Sequence, residues 1–136
     1  MTALSKGRKT SARMGLEYMA PVAAATKIWQ GAIVVLDASG NAAPATMATG
    51  LVAAGGAQAT VDNSAGAAGD MTVVIEKGVF AYANSAAGDL ITRAEIGDTA
   101  YLVDDQTVAK TDATGTRSAA GKIMDVDAEG VWIKFD

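Results

Sequence analysis

Cysteine and histidine are both absent from the 136 residues of this chain. Without cysteine there is no disulfide framework, no thiolate metal site and no thiol nucleophile. Without histidine the commonest general base, the usual zinc ligand and the side chain that titrates near neutral pH are all missing. Large apolar side chains are scarce as well. Half of the residues count as hydrophobic, but 30 of them are alanine, against 27 Ile, Leu, Val and Phe together. At roughly 25 cal/mol per Å² of apolar surface buried, so thin a core leaves a monomer marginal and predicts an associated state. No apolar run approaches the roughly 18 to 20 residues of a membrane helix. The stretch Ala20-Pro-Val-Ala-Ala-Ala25, read with Glu17 before it, is too short and too interrupted for a secretory signal. There is no G-x-S-x-G elbow and no glycine-rich phosphate loop ending in Lys-Ser or Lys-Thr, so nucleophilic hydrolysis and nucleotide binding have no positive support.

The charge that is present is unevenly placed. The chain carries a net −4, yet its first thirteen residues hold Lys6, Arg8, Lys9 and Arg13 and no acid, leaving seven basic residues against fifteen acidic ones in the remainder. A basic arm is fused to an acidic body. The arm, residues 1–15, has too little apolar surface to offset the entropy of ordering itself, and is read as a segment that folds on something else. The plainer reading is a frayed, solubilising terminus. An acidic body is a poor partner for duplex phosphates. The arm lacks an aromatic for base stacking, so a direct nucleic-acid role is not expected and docking on an acidic protein surface fits equally well.

Residues 16–136 read as one β-rich domain. Pro21 suits Leu16 to Ala25 to an edge strand or extended lead-in. Ala32 to Asp37 is a β-branched run closed by the turn signature Ala38-Ser-Gly-Asn41 and answered by Ala42 to Thr46. Further strands are expected at Gly50 to Ala54 and Gly56 to Val61, although the Ala and Gly content between Ala38 and Asp70 also allows a long loop. Met71 to Glu76 and Val79 to Ala83, joined by Lys77-Gly78, form the clearest hairpin pattern. Asp98 to Val103 is answered by Thr107 to Lys110 across Asp104-Asp105, and Gly121 to Asp127 with Val131 to Phe135 makes a last hairpin. Short strands with regular turn signals and no amphipathic helix predict an all-β fold, a small single-domain sandwich or barrel of antiparallel hairpins preceded by an extended arm.

Three groups of residues invite a chemical reading. Asp125-Val-Asp127-Ala-Glu129-Gly130 with Asp136 approximates a calcium loop, but Val131 to Phe135 is strand-like, and a hairpin with outward polar residues is the commoner explanation. Asp104, Asp105 and Asp112 can be read as paired carboxylates for acid and base work, yet acids at a strand end usually bond turn amides. Trp29, Tyr82, Tyr101 and Trp132 suit a sugar-binding platform, an interface or a core. Core is expected for Tyr101 and Trp132, while Trp29 divides evenly between core and exposed contact.

The segments Gly31-Ala-Ile-Val-Val-Leu-Asp-Ala-Ser-Gly-Asn-Ala42, Lys77-Gly-Val-Phe80, Gly97-Asp-Thr-Ala-Tyr-Leu-Val-Asp-Asp-Gln-Thr-Val-Ala-Lys110 and Gly121-Lys-Ile-Met-Asp-Val-Asp-Ala-Glu-Gly-Val-Trp-Ile133 carry a resemblance through most of the body. In their order and spacing, with a basic arm ahead, the chain resembles the small capsid cement, or head decoration, proteins of tailed bacteriophages and prophages. The resemblance implies a β-rich protein with no enzymatic activity and no cofactor or metal. It implies a chain made in the bacterial host cytoplasm that sits on the outer surface of the virion head and ties neighbouring major capsid protein subunits together. Such proteins cluster around local symmetry axes, so a homotrimer is expected, with a dimer open. On this view Lys6, Arg8, Lys9 and Arg13 steer and anchor the arm, and Ser5 and Gly7 permit its extension. Leu4, Met14, Leu16 and Trp29 supply apolar burial. The alternative is a small β-sandwich binding module for a glycan or calcium.

Overall fold

A computed structural model describes residues 2–13 and 15–136. In chain order the strands are β1 (Glu17–Pro21), β2 (Thr26–Ile28), β3 (Ile33–Leu36), β4 (Ala42–Pro44), β5 (Val52–Ala57), β6 (Val61–Asn63), β7 (Thr72–Glu76), β8 (Gly78–Tyr82), β9 (Thr99–Leu102), β10 (Val108–Ala109), β11 (Ala119–Asp127) and β12 (Gly130–Phe135). The helical content among the described residues is two single 3-10 turns, Ala87–Asp89 and Arg93–Glu95. The fold is all-β. One five-stranded sheet has the order β1-β7-β5-β3-β4, a second has the order β10-β9-β11-β12-β8, and β2 with β6 forms a two-stranded ribbon.

All three sheets pair antiparallel. Ile33 and Val35 of β3 join Leu102, Ile123, Val131, Ile133 and Phe135 in a core between the two large sheets. On the other side of the first sheet, Val34 packs with Ile28, Val73, Ile75 and Ala57 under the ribbon. Strand β3 is therefore covered on both faces, which is why its sequence is a continuous Ile-Val-Val-Leu run instead of an alternation.

The turn expected at Ala38 to Asn41 forms as expected. Asp37 Oδ1 accepts from the amides of Ser39 at 2.8 Å and Asn41 at 3.0 Å, the side-chain mimicry of a backbone turn that favours Asp there. The 98–110 and 121–135 hairpins also form, as β9–β10 and β11–β12.

Three expectations are corrected, and one strand is additional to those expected. The clearest hairpin in the sequence is not one: β7 pairs with β1 and β5 in the first sheet, while β8 pairs with β12 in the second. Lys77-Gly78 is a corner where the chain changes sheets, a standard way of joining two packed layers that looks like a hairpin tip in sequence. The two strands expected either side of Gly55 are one strand, β5, with a register shift opposite Val34 and Val35. Gly55 sits at φ 151°, and a Cβ there would lie 2.3 Å from the Glu76 carbonyl oxygen, so this glycine serves close approach within a strand and not a turn. Strand β2 was not foreseen, because Thr26–Ile28 has only three residues and its partner β6 lies 35 positions on. Finally, Tyr101 and Trp132 are only half-buried, and the aromatic core is Tyr82 and Phe135, at 6% and 4% exposure. The alternation in Val131-Trp-Ile-Lys-Phe135 points Val131, Ile133 and Phe135 inward and Trp132 outward.

Candidate docking surface

Residues 2–13 adopt no strand or helix, and every one of them is exposed. Among the described residues the ion pairs all lie in the body, and Lys6, Arg8, Lys9 and Arg13 enter none. Four cations without an ion pair among the described residues thus stand on a strand-free segment. Leu4 is 71% exposed within the arm and Leu16 is 60% exposed at its base. Met14 lies outside the described residues.

The arm leads into an open sheet edge. Strand β1 is the outermost of its sheet. The Lys77 amide donates to the Leu16 carbonyl at 2.8 Å, and the Val22 amide to the Met71 carbonyl at 2.9 Å. With Glu17 opposite Glu76 and Pro21 opposite Thr72, the antiparallel alternation turns the backbone groups of residues 16, 18, 20 and 22 toward β7 and those of Glu17, Met19 and Pro21 away from it. The free edge therefore presents the amides and carbonyls of Glu17 and Met19, since Pro21 has no N–H and the chain beyond it bridges to Ala42 of β4. The Met19 side chain, on the exposed face of β1, is 64% exposed. It was missed as a candidate residue, although Tyr18-Met-Ala20 alternates and Pro21 marks an edge strand.

The Tyr18 ring lies under the Lys77 ammonium, 5.2 Å from the ring centroid. Its hydroxyl donates to the Ala54 carbonyl at 3.4 Å, and partial burial pushes its pKa up. This contact fixes β1 across β7 onto β5 and gives the arm a rigid root.

Trp29 is not brought to the arm. It follows β2 in a turn closed by the Ala32 amide donating to the Trp29 carbonyl at 3.1 Å. Its ring, 57% exposed, lies under the Lys27 ammonium at 3.9 Å. It borders a cleft of about 300 Å³ with Gln30, Gly31, Ala32, Asp105 and Gln106, to which no described arm residue contributes.

Asp104, Asp125 and Asp127 are occupied within the fold. Asp125 pairs with Arg93 at 2.6 Å, which holds its carboxyl below the usual range. Asp127 accepts from the Trp132 indole at 2.9 Å and from the Glu129 amide at 2.8 Å. Among the described residues no three acidic side chains group as metal ligands. Asp104 Oδ1 accepts from the Gln106 amide at 2.9 Å, as a turn acid does. The most perturbed carboxylate is Glu95, in the Arg93–Glu95 turn. It accepts from the Thr92 hydroxyl at 2.6 Å and amide at 2.7 Å and pairs with Lys110 at 3.1 Å, which hold it down to about 2. Its partners form a capping box, a structural use of the charge.

No family model matches the chain, and comparisons with curated proteins and with solved structures give no match. No helix among the described residues is long and apolar enough to cross a membrane.

Proposed function

We propose that this chain is a capsid cement protein, binding the outside of a phage head and linking neighbouring major capsid protein subunits. The observation that carries the reading is the junction of a fully exposed basic arm with the free edge of β1. An extended segment beside an open edge is the equipment for strand addition. Backbone hydrogen bonds from Glu17 and Met19 supply affinity, and side chains choose the site. Exposed ion pairs are worth only about 0 to 1 kcal/mol each, so Lys6, Arg8, Lys9 and Arg13 steer the arm onto an acidic capsid surface. Holding energy comes from burial of Leu4, Leu16 and Met19 and from repetition over many copies. Clustering as a homotrimer around local symmetry axes multiplies the arms at one site. The body, with its surplus of acids, keeps neighbouring clusters apart.

The test is co-sedimentation with purified heads that lack the chain. The full chain should pellet with heads at a saturating ratio. A variant lacking residues 1–13 should stay in the supernatant while retaining the β-sheet circular dichroism of the parent. Equal binding by the two would overturn the reading.

A further inference from the structure

We propose that the cleft beside Trp29 is a binding site for a neutral pyranose of an exposed polysaccharide or oligosaccharide, separate from the arm and its edge strand. The two tryptophans make the first argument by contrast. The Trp132 indole N–H is spent on Asp127 at 2.9 Å, whereas among the described residues the Trp29 indole has no hydrogen-bond partner and its ring is 57% exposed. The Lys27 ammonium covers one face of the ring, 3.9 Å from its centroid, and the remainder, with its indole donor unspent, is an exposed amphipathic surface that a partner can cover.

The surroundings define the partner. Asp105, Gln106 and Gln30 line the same cleft. Among the described residues none of their side-chain polar atoms bonds another protein group. One carboxylate and two carboxamides together offer both acceptors and donors. Beside a flat aromatic face, that set suits a ring with apolar C–H faces and a rim of hydroxyls. A phosphate or sulfate is disfavoured by Asp105, and an apolar peptide leaves the three polar side chains unpaired. At about 300 Å³ the cleft lies at the small end of ligand sites, open enough for one part of a longer chain.

The walls are already in place. The Ile33 amide donates to the Asp105 carbonyl at 2.8 Å, tying the 103–107 turn to the start of β3. The Ala83 amide donates to the Gln106 carbonyl at 2.8 Å, and the Gln30 amide to Thr60 Oγ at 3.0 Å. Gly31, at φ 86°, supplies the positive φ required at the third position of the Trp29 to Ala32 turn. The backbone of the site is pre-formed, and the side chains alone remain to be ordered on binding.

The experiment is a ¹H–¹⁵N correlation titration of the full chain with maltohexaose, cellohexaose and N-acetylglucosamine hexamer, each to about 10 mM, which detects even millimolar affinity. At least one should shift the Trp29 indole and the Gln30 and Gln106 side-chain amides saturably, leaving the Trp132 indole unmoved. Trp29→Ala and Asp105→Ala should each weaken that binding about tenfold or more, with the remaining spectrum unchanged to show an intact fold. Absence of a saturable shift with all three sugars would overturn the proposal, as would shifts that survive Trp29→Ala. Since head binding is read from the arm deletion, either outcome leaves the cement reading to its own test.

Discussion

Asn63 is the polar side chain on which the ribbon's attachment to the first sheet most depends, and replacing it by aspartate should damage the fold more than replacing it by alanine. It is 3% exposed. Its amide donates to the carbonyls of Ala23 and Ala67, each at 3.0 Å, and to that of Val22 at 3.4 Å. These bonds hold the segment after β1 to the 63–67 turn, and Val22 is itself fully buried beneath the ribbon. Asn63→Ala loses two good bonds at about 0.5 to 1.5 kcal/mol net each, with solvent able to reach the Ala67 carbonyl, so a loss of about 2 kcal/mol is expected. Asn63→Asp removes the donors and turns a carboxylate toward three carbonyl oxygens. A buried charge without a partner costs about 3 to 5 kcal/mol, so about 4 kcal/mol is expected at pH 7.

The aspartate variant carries a pH signature that the alanine variant lacks. Burial against carbonyl dipoles raises the folded-state pKa of the new carboxyl above its unfolded value. The folded state then binds more protons between those two values, and stability falls as pH rises through that window. Urea unfolding at a series of pH values is the assay. The gap between Asn63→Asp and the parent should be widest at pH 7 and narrow toward pH 4, where the protonated carboxyl again donates a bond. An aspartate variant within about 1 kcal/mol of the parent at pH 7, or one no worse than alanine, would refute the reasoning.

Other consequences can be checked on the same preparation. Gly55→Ala places a Cβ 2.3 Å from a main-chain oxygen at an unfavourable φ, and should cost at least about 3 kcal/mol in urea unfolding. Glu95, lowered from an ordinary 4.5 to about 2 in the fold, contributes stability that is present above pH 4.5 and lost as pH falls toward 2. Glu95→Gln should therefore flatten the melting temperature's dependence on pH across that window. Ile133→Ala empties a fully buried position between the two sheets and should cost about 2 to 5 kcal/mol. Arg93→Ala breaks an ion pair whose side chains are 71% and 49% exposed, and should change stability by less than about 1 kcal/mol.

The sequence exposed whatever was local. The turn at Asp37 with Gly40 follows from residue type and spacing, and it matches the structure. What stayed hidden depends on which strands meet. Lys77-Gly78 carries the same signal whether the chain folds back on itself or crosses to another sheet, because a corner and a hairpin tip both need a sharp bend. Gly55 reads as a strand break until Glu76 is seen to approach it. Tyr82, not Tyr101 or Trp132, enters the core because β8 faces β12, a pairing that local sequence does not announce. The free edge of β1 was half legible: Pro21 marked an edge strand, but Met19 became a candidate only when the register with β7 showed which groups point outward. Trp29, which the resemblance groups with the apolar residues of the arm, lies in the structure beside Asp105 and Gln106, 76 positions away from the nearer of the two.

Cryo-electron microscopy of phage heads from the source, with and without this chain, tests the central claim most directly. The account predicts density of 13.7 kDa units at symmetry-related positions on the outer surface, present only when the chain is present, with residues 2–13 running onto the shell beside the edge of β1. Bare heads in both preparations, or units seated with the arm pointing away from the shell, would contradict it.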